Sequence, residues 1–495
     1  MHVETLIIGA GPAGLTAAYE LTKAGRSVLI VERDPAYVGG ISRTVVYKGY
    51  RFDIGGHRFF SKSAEIESLW TELLGDDLLE RPRSSRIFYK RKLFDYPLRA
   101  MDALVKLGPI EAVRCVLSYA EARLNPTLPA KNFEQWVVNN FGRRLFEIFF
   151  KTYTEKVWGM DCSEISADWA AQRIKGLNLY QAIASSLGLG KKPKGDNSAI
   201  IKTLIDSFRY PRLGPGQMWE RARDRIIEQG GRVMMGSTIT ALTQHGETGQ
   251  WVAIVTDGEG RETKVIADHV VSSAAVNELV RLLGADDDAA LKRATEGLKY
   301  RDFLIVGLIA RGGERFSDNW IYIHDPDVKV GRIQNFKSWS PDMVPEPDTA
   351  CYGMEYFCFE GDGLWSLSDD ELIEQAKDEI AQLGLVARDA IVDGSVVRQK
   401  KAYPVYDDLY QFHVDTIREG LSERFKNLHL CGRNGMHKYN NQDHAMMTGL
   451  LTARNIIAGR ALYDTWGVNQ DAEYHEGGTA GAEQVAERLT PRKAG

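Results

Sequence analysis

Apolar positions along this chain change their period several times, and each change marks an element. An apolar, β-branched run from Val3 to Gly9 reads as a strand. It passes through a glycine-rich turn into a helically spaced stretch from Ala13 to Ala24, and a second strand, Ser27 to Glu32, closes a βαβ unit of about 30 residues. From Arg99 to Ser186 the period is helical, with an apolar stripe through Trp136, Val137, Phe141, Leu145 and Phe149. Strand patterns return from Gly231 through Val271, where Gly246 to Gly249 reads as a hairpin turn, and again from Arg301 to Phe359. A helix over Asp369 to Leu383 precedes a further strand near Ile391 to Arg398. The Gly188 to Asp196 stretch is a glycine- and lysine-rich loop without the spacing of a P-loop, and after Ala461 the composition suggests a flexible tail, 461–495.

At 495 residues the chain is too long for one simple domain, and its 44% hydrophobic content supports a large core. A net charge of −5 provides no overall field for nucleic acid or an anionic membrane, so an anionic ligand needs a local basic pocket. No apolar run approaches the roughly 20 residues of a membrane span. The start, MHVETLIIGAGPAG, lacks the features of a signal peptide, which makes a cytoplasmic location the expectation. Five scattered cysteines, Cys115, Cys162, Cys351, Cys358 and Cys431, suggest neither disulfides nor a metal site.

Gly9, Gly11 and Gly14 form G-x-G-x-x-G directly after the first strand and at the opening of the helix. In that setting the first glycine allows the tight turn, the second lets backbone approach a pyrophosphate, and the third permits close helix packing. The phosphates then meet the positive helix N-terminus, and Glu32 ends the second strand where it can accept hydrogen bonds from a ribose diol. Gly39-Gly40-Ile41-Ser42-Arg43-Thr44 resembles the second glycine pair with arginine of FAD-containing oxidases and mutases. Near the other end, Leu428 to Gly432 reads as a short strand and Asp443 to Ile457 as a helix with small residues, which suits a bipartite FAD site.

Four further segments resemble, in order, motifs of the UDP-galactopyranose mutases. They are Phe52-Asp53-Ile54-Gly55-Gly56-His57, Tyr153-Thr154-Glu155-Lys156-Val157-Trp158-Gly159, Ala402-Tyr403-Pro404-Val405, and Gly432-Arg433 with Lys438-Tyr439-Asn440-Asn441. The resemblance runs to about residue 458. It implies that Gly55, Gly56 and His57 lie beside the flavin, with His57 fixing that loop, and that Tyr153 and Trp158 contact the nucleotide base and sugar. Arg209 and Arg332 would hold the diphosphate, with Arg212 an alternative to Arg209. Tyr403 and Tyr439 would complete the phosphate cage, and Asn441 would approach the sugar. Gly40, Arg43, Arg433 and Gln442 would serve FAD.

The family resemblance also implies a mechanism, reduced flavin N5 attack on the anomeric carbon, which interconverts the pyranose and furanose forms of a nucleoside-diphosphate sugar. NAD(P)H or another reductant could supply the electrons. Many relatives carry aspartate where this chain has Asn441, and here the histidine loop continues Arg58-Phe59-Phe60, so UDP-galactose and a dTDP-sugar are both compatible. The oligomeric state is open, a homodimer included. The rival reading is an FAD-dependent oxidase or dehydrogenase of the protoporphyrinogen or amine oxidase type, which shares the glycine motifs.

The expected architecture is α/β. A Rossmann-type FAD-binding domain assembled from 1–98, 200–290 and 420–460 is combined with a helical substrate lobe, 99–199, and a mostly antiparallel substrate domain, 291–419.

Overall fold

The computed structural model describes residues 1–96, 98, 100–165, 167, 207–246 and 248–469. The Gly188 to Asp196 loop and the tail beyond 469 lie outside the described residues.

Strand His2–Ile8 is central to a seven-stranded sheet and pairs in parallel with Val28–Val31 on one side and Glu262–Ser272 on the other. Leu6, Ile7, Leu29 and Ile30 are all buried, the unbroken apolar run of a strand covered on both faces. The long strand Glu262–Ser272 divides its edge. Its first half pairs antiparallel with Trp251–Asp257, and its last residues, Val270 to Ser272, pair in parallel with Leu428–Leu430. The chain thus returns to the first sheet with its last strand.

Helix Pro12–Lys23 crosses helix Gln442–Ala458 on one face of this sheet. The crossing is tight, because a Cβ on Gly449 would overlap the backbone of Ala13. Both helix N-termini are thereby brought to the same end of the sheet. Helices Val276–Leu282, Ala289–Gly297 and Tyr410–Arg424 pack on one another through Val280, Leu291, Ala294, Ile417 and Leu421, with Leu428 and Leu430 against them.

The second sheet, also seven-stranded, runs in the order Ile391–Pro404, Tyr300–Arg311, Thr349–Cys358, Arg332–Asn335, Trp320–Ile323, Ser85–Tyr89, Lys92–Asp95. All its pairings are antiparallel except Trp320–Ile323 with Ser85–Tyr89. Helix Asp369–Gln382 covers one face, its start fixed by a capping box between Ser368 and Glu371.

The helical lobe contains helices Ala100–Leu107, Pro109–Leu124 and Phe133–Phe141, then a π-helical turn, Glu147–Lys151, before helix Thr152–Trp158. Val137, Phe141, Leu145 and Phe149 of the predicted stripe are buried in its core, and Trp136 packs against it.

Three of the expected boundaries move. Strands Ser85–Tyr89 and Lys92–Asp95, expected within 1–98 of the FAD domain, belong to the second sheet, because Ser85 to Phe88 match the register of Trp320 to Ile323. Helices Ala289–Gly297 and Tyr410–Arg424, mostly assigned to the β-rich domain, pack with the first sheet's layer. Residues 461–469 are docked rather than flexible: Val468 is buried, and the Lys438 ammonium donates to the carbonyls of Trp466, at 2.9 Å, and Val468.

Candidate active site

A cavity of about 900 Å³ opens where the two helix N-termini meet. Gly9, Gly11, Glu32, Gly40, Arg43, Arg433, Asn441 and Gln442 all line it. The glycines divide their work as the spacing predicts. A Cβ on Gly14 would overlap the Gly9 carbonyl, so Gly14 is required for packing; one on Gly11 would meet no protein atom within 4 Å. Space in front of Gly11 is therefore left to something other than protein, at the N-terminus of helix Pro12–Lys23.

Glu32 is held with one carboxylate oxygen accepting from the Ala10 N–H at 2.7 Å and the other from the Asp34 N–H at 2.9 Å. Each oxygen keeps a lone pair for a further donor. Arg43 donates to the Gly40 carbonyl, 3.0 Å, and to Gln399, 2.7 Å. Asn441 caps helix Gln442–Ala458, and Gln442 donates to the Arg58 carbonyl at 3.2 Å while its own carbonyl oxygen has no partner among the described residues. That buried acceptor, the open approach to Gly11 and the lining glutamate fit a dinucleotide such as FAD lying across both helix starts.

Next to this cavity the second sheet presents a row of side chains set by strand register. Tyr322 stands opposite Arg332, and Arg332 opposite Glu355. The Glu355 carboxylate is fully buried; it accepts both Nε and a terminal nitrogen of Arg332 at 2.7 Å, and Gln334 donates to its other oxygen at 2.7 Å. Burial pushes the Glu355 carboxyl up, whereas the arginine opposes that shift. Tyr153 packs edge-on to Tyr322 with ring centroids 5.2 Å apart, and its other side stacks on His324 at 5.1 Å. Tyr403 stacks on Tyr439 at 5.5 Å, with the Arg433 guanidinium 5.4 and 5.2 Å from the two rings. Burial raises the Tyr153 and Tyr403 phenols, which stay protonated donors.

His57 bonds through its ring to the backbone of Ile41, which lines the cavity, and lies near both Arg433 and Arg332. Its Nε2 is 2.9 Å from the Ile54 carbonyl, and a Cβ built on Gly55, a residue with φ of +95°, would lie 3.7 Å from that nitrogen and 3.9 Å from Arg332. Burial and the cations Arg433 and Arg332 depress the imidazole to about 4, which keeps it neutral near pH 7. Gly56 is required for packing, since its Cβ would come within 2.9 Å of Gln334.

The structure therefore brings together His57, Arg332, Tyr153, Tyr403, Tyr439 and Arg433. It does not bring Arg209 to Arg332: the Arg209 guanidinium is held by Glu67, 2.5 Å, and Thr71, 2.6 Å, on helix Ala64–Leu74. Arg212 pairs with Asp77 and Asp342. Trp158 is buried in the core of the helical lobe, against which Tyr322 and Tyr439 also pack, and Asn441 lines the cavity as a helix cap. Tyr322, Glu355, Gln334 and His324 escaped the sequence reading. Only Glu355 had left a signal, as the sole ionisable acid within the apolar strand Thr349–Cys358.

The fold and cavity define a mixed α/β enzyme-like architecture with a Rossmann-like nucleotide-binding domain, and residues 7–73 match the NAD(P)-binding Rossmann-like domain family. The crystal structure of reduced UDP-galactopyranose mutase shares this fold with a TM-score of 0.79, at 20% identity over 95% of this chain and 96% of that one. A structure from Exiguobacterium sp. 255-15, provisionally named a protoporphyrinogen oxidase, shares it with a TM-score of 0.69, at 16% identity over 92% and 99% of the two chains. In sequence, a protein described as a probable UDP-galactopyranose mutase of Klebsiella pneumoniae is 25% identical over 173 residues, 33% of this chain and 42% of that protein. The chain thus spans less than half the length of that curated relative.

Proposed function

We propose that this protein is an FAD-dependent nucleotide-sugar mutase, interconverting pyranose and furanose forms of a nucleoside-diphosphate sugar. The observation that carries the reading is the placement of Arg332, backed by a buried carboxylate and set among tyrosines, immediately beside the His57 loop, which bonds to Ile41 of the dinucleotide cavity. An oxidase acting on an amine has no use for such an anion site; a diphosphate does.

Gly11, Glu32, Gly40 and Arg43 would hold the adenine dinucleotide end of FAD, and Arg433 with Gln442 the flavin end. Bound and reduced, FAD would supply a nucleophile of its own, which agrees with the lack of a serine, cysteine or histidine nucleophile triad among these residues. Arg332 would bind the diphosphate through its remaining terminal nitrogen, which does not meet Glu355, and Tyr403 and Tyr439 would donate to phosphate oxygens. Tyr153 would set the nucleotide portion, with His324 behind it. Neutral His57, tied to the Ile54 carbonyl, would hold the Gly55–Gly56 backbone in place and leave no extra positive charge next to the flavin.

Incubation of dithionite-reduced protein with a panel of nucleotide sugars tests this reading. Furanose product is expected from the reduced protein, anaerobically and through many turnovers, and none from the oxidised one. If the oxidised protein instead bleaches on meeting an amine or porphyrinogen and regains its colour only with oxygen, the oxidase reading replaces it.

A further inference from the structure

The outer surface of the helical lobe carries an apolar seam that the candidate active site does not use. On helix Pro109–Leu124, Ile110, Val113, Leu117, Ala120 and Leu124 recur at i, i+3, i+7, i+10 and i+14, one stripe of an α-helix. All five are exposed, Leu117 by 64% and Leu124 by 81%, and Met101 and Val105 of the preceding helix are exposed too. Monomeric proteins rarely leave so continuous a row of large apolar side chains facing water.

Cations border the seam. Arg114 and Arg123 are exposed on helix Pro109–Leu124, where the half-buried Glu111 pairs with Arg144 and, at 3.7 Å, with Arg114, and Glu121 is the exposed acid. The hairpin tip Lys90-Arg91 projects between strands Ser85–Tyr89 and Lys92–Asp95, and the Lys92 ammonium donates to the Lys106 carbonyl at 2.6 Å. That bond fixes the tip to the end of helix Ala100–Leu107, where Val105 gives way to Ile110. Lys90 and Arg91 adopt φ of +48° and +58°, a pair of left-handed positions that Asn-Gly fills with least strain. Two long cationic residues are kept where the backbone favours small ones, an outlier that points to a use for their charge.

We propose that this seam is a peripheral membrane-docking face, laying helix Pro109–Leu124 into the headgroup region of an anionic bilayer with Lys90, Arg91, Arg114 and Arg123 reaching lipid phosphates. Apolar seam and cationic margin are the two components of interfacial helices, and neither requires a membrane span. The net charge of −5 opposes such binding at long range, but within a Debye length of about 8 Å the local cations decide. A second copy of the chain packing seam to seam would set these like charges against one another. An anionic surface relieves that conflict.

Flotation of the full-length, flavin-loaded protein with vesicles of phosphatidylcholine, with and without phosphatidylglycerol, tests the proposal. Binding is expected with the anionic vesicles, weak with the neutral ones and reduced by salt. Lys90→Asn with Arg91→Gly installs the residues that the turn prefers, so it should keep or raise the melting temperature while lowering partitioning roughly tenfold or more. Leu117→Asp with Leu124→Asp should abolish partitioning at unchanged melting temperature. The proposal is overturned if no vesicle binds, if these variants bind like the parent, or if sedimentation reveals a dimer that the aspartate pair dissociates. A fall of several degrees in the aspartate pair would also overturn it, by showing that the seam packs against the protein itself.

Discussion

On the proposed reading Arg332 carries two duties, and they separate on mutation. Arg332→Ala should weaken binding of a nucleoside diphosphate roughly ten- to a hundredfold, the loss of a charge-assisted contact, while flavin stays bound. It should also cost about 3 kcal/mol of stability, because the fully buried Glu355 is left without its cation. Adding Glu355→Gln to Arg332→Ala should restore part of the stability, seen in chemical denaturation, and none of the binding, seen in calorimetry; joint recovery of both would refute this division. Among single residues, the glycines of the first turn and Glu32 were legible in sequence because their chemistry depends on spacing within one βαβ unit. Tyr322 and Glu355 were not, since strand register alone brings them to Arg332. The lysines of two family-like motifs, to which the resemblance gave no role, act as staples. Lys156 donates to the carbonyls of Asp325, 2.6 Å, and Val330, 3.1 Å, and Lys438 to those of Trp466 and Val468.

The crossing of helices Pro12–Lys23 and Gln442–Ala458 is the element-level device that makes one cavity from two distant segments. Gly11→Val and Gly449→Val should therefore differ. The new side chain at position 11 points into the cavity, so flavin should be lost with the apoprotein's melting temperature unchanged. At position 449 it collides with Ala13, so the helices must part, at a cost of about 1–3 kcal/mol together with loss of flavin. Absorbance near the flavin bands and thermal melts of flavin-free protein distinguish the two. The sequence showed small residues in the second helix, but which of them meets the first helix depends on the angle at which the two cross. The π-helical turn Glu147–Lys151, which resets the helical phase just before Tyr153, was likewise invisible to a period of 3.6 residues.

At the scale of the whole molecule, buried titratable groups set the pH dependence of stability. His57, His429 and His437 are depressed to about 4, and His324 to about 3, chiefly by burial. Each stays neutral in the fold while its unfolded counterpart takes up a proton below about pH 6.5, so stability is lost as pH falls from there toward 4, by about 1.4 kcal/mol per pH unit for each histidine not offset. Asp53 and Asp443, raised to about 7 by burial, act the other way over the same range, because the folded protein holds their protons longer than the unfolded chain. Glu355 and Glu220, also raised by burial, act with the two aspartates, and all of them offset the histidines. Asp53→Asn removes one opposing group, so its melting temperature should fall more steeply than the parent's between pH 6.5 and 5; a shallower fall would contradict the assignment.

The closure of the first sheet by Leu428–Leu430 also dictates an order of events during synthesis. Residues 8–43 form one wall of the cavity early, but the other wall, from Gly432 to Ala445, is made only after the entire second sheet and the helical lobe have emerged. The cofactor has no complete seat on a nascent chain. Capture of the proposed flavin becomes a late step, and until then the exposed ends of the parallel strands are a surface for chaperones to shield. Ribosome-bound chains arrested before residue 428 should remain colourless in excess FAD, whereas released full-length protein should turn yellow; retention of flavin by the arrested chains would show that the first wall suffices.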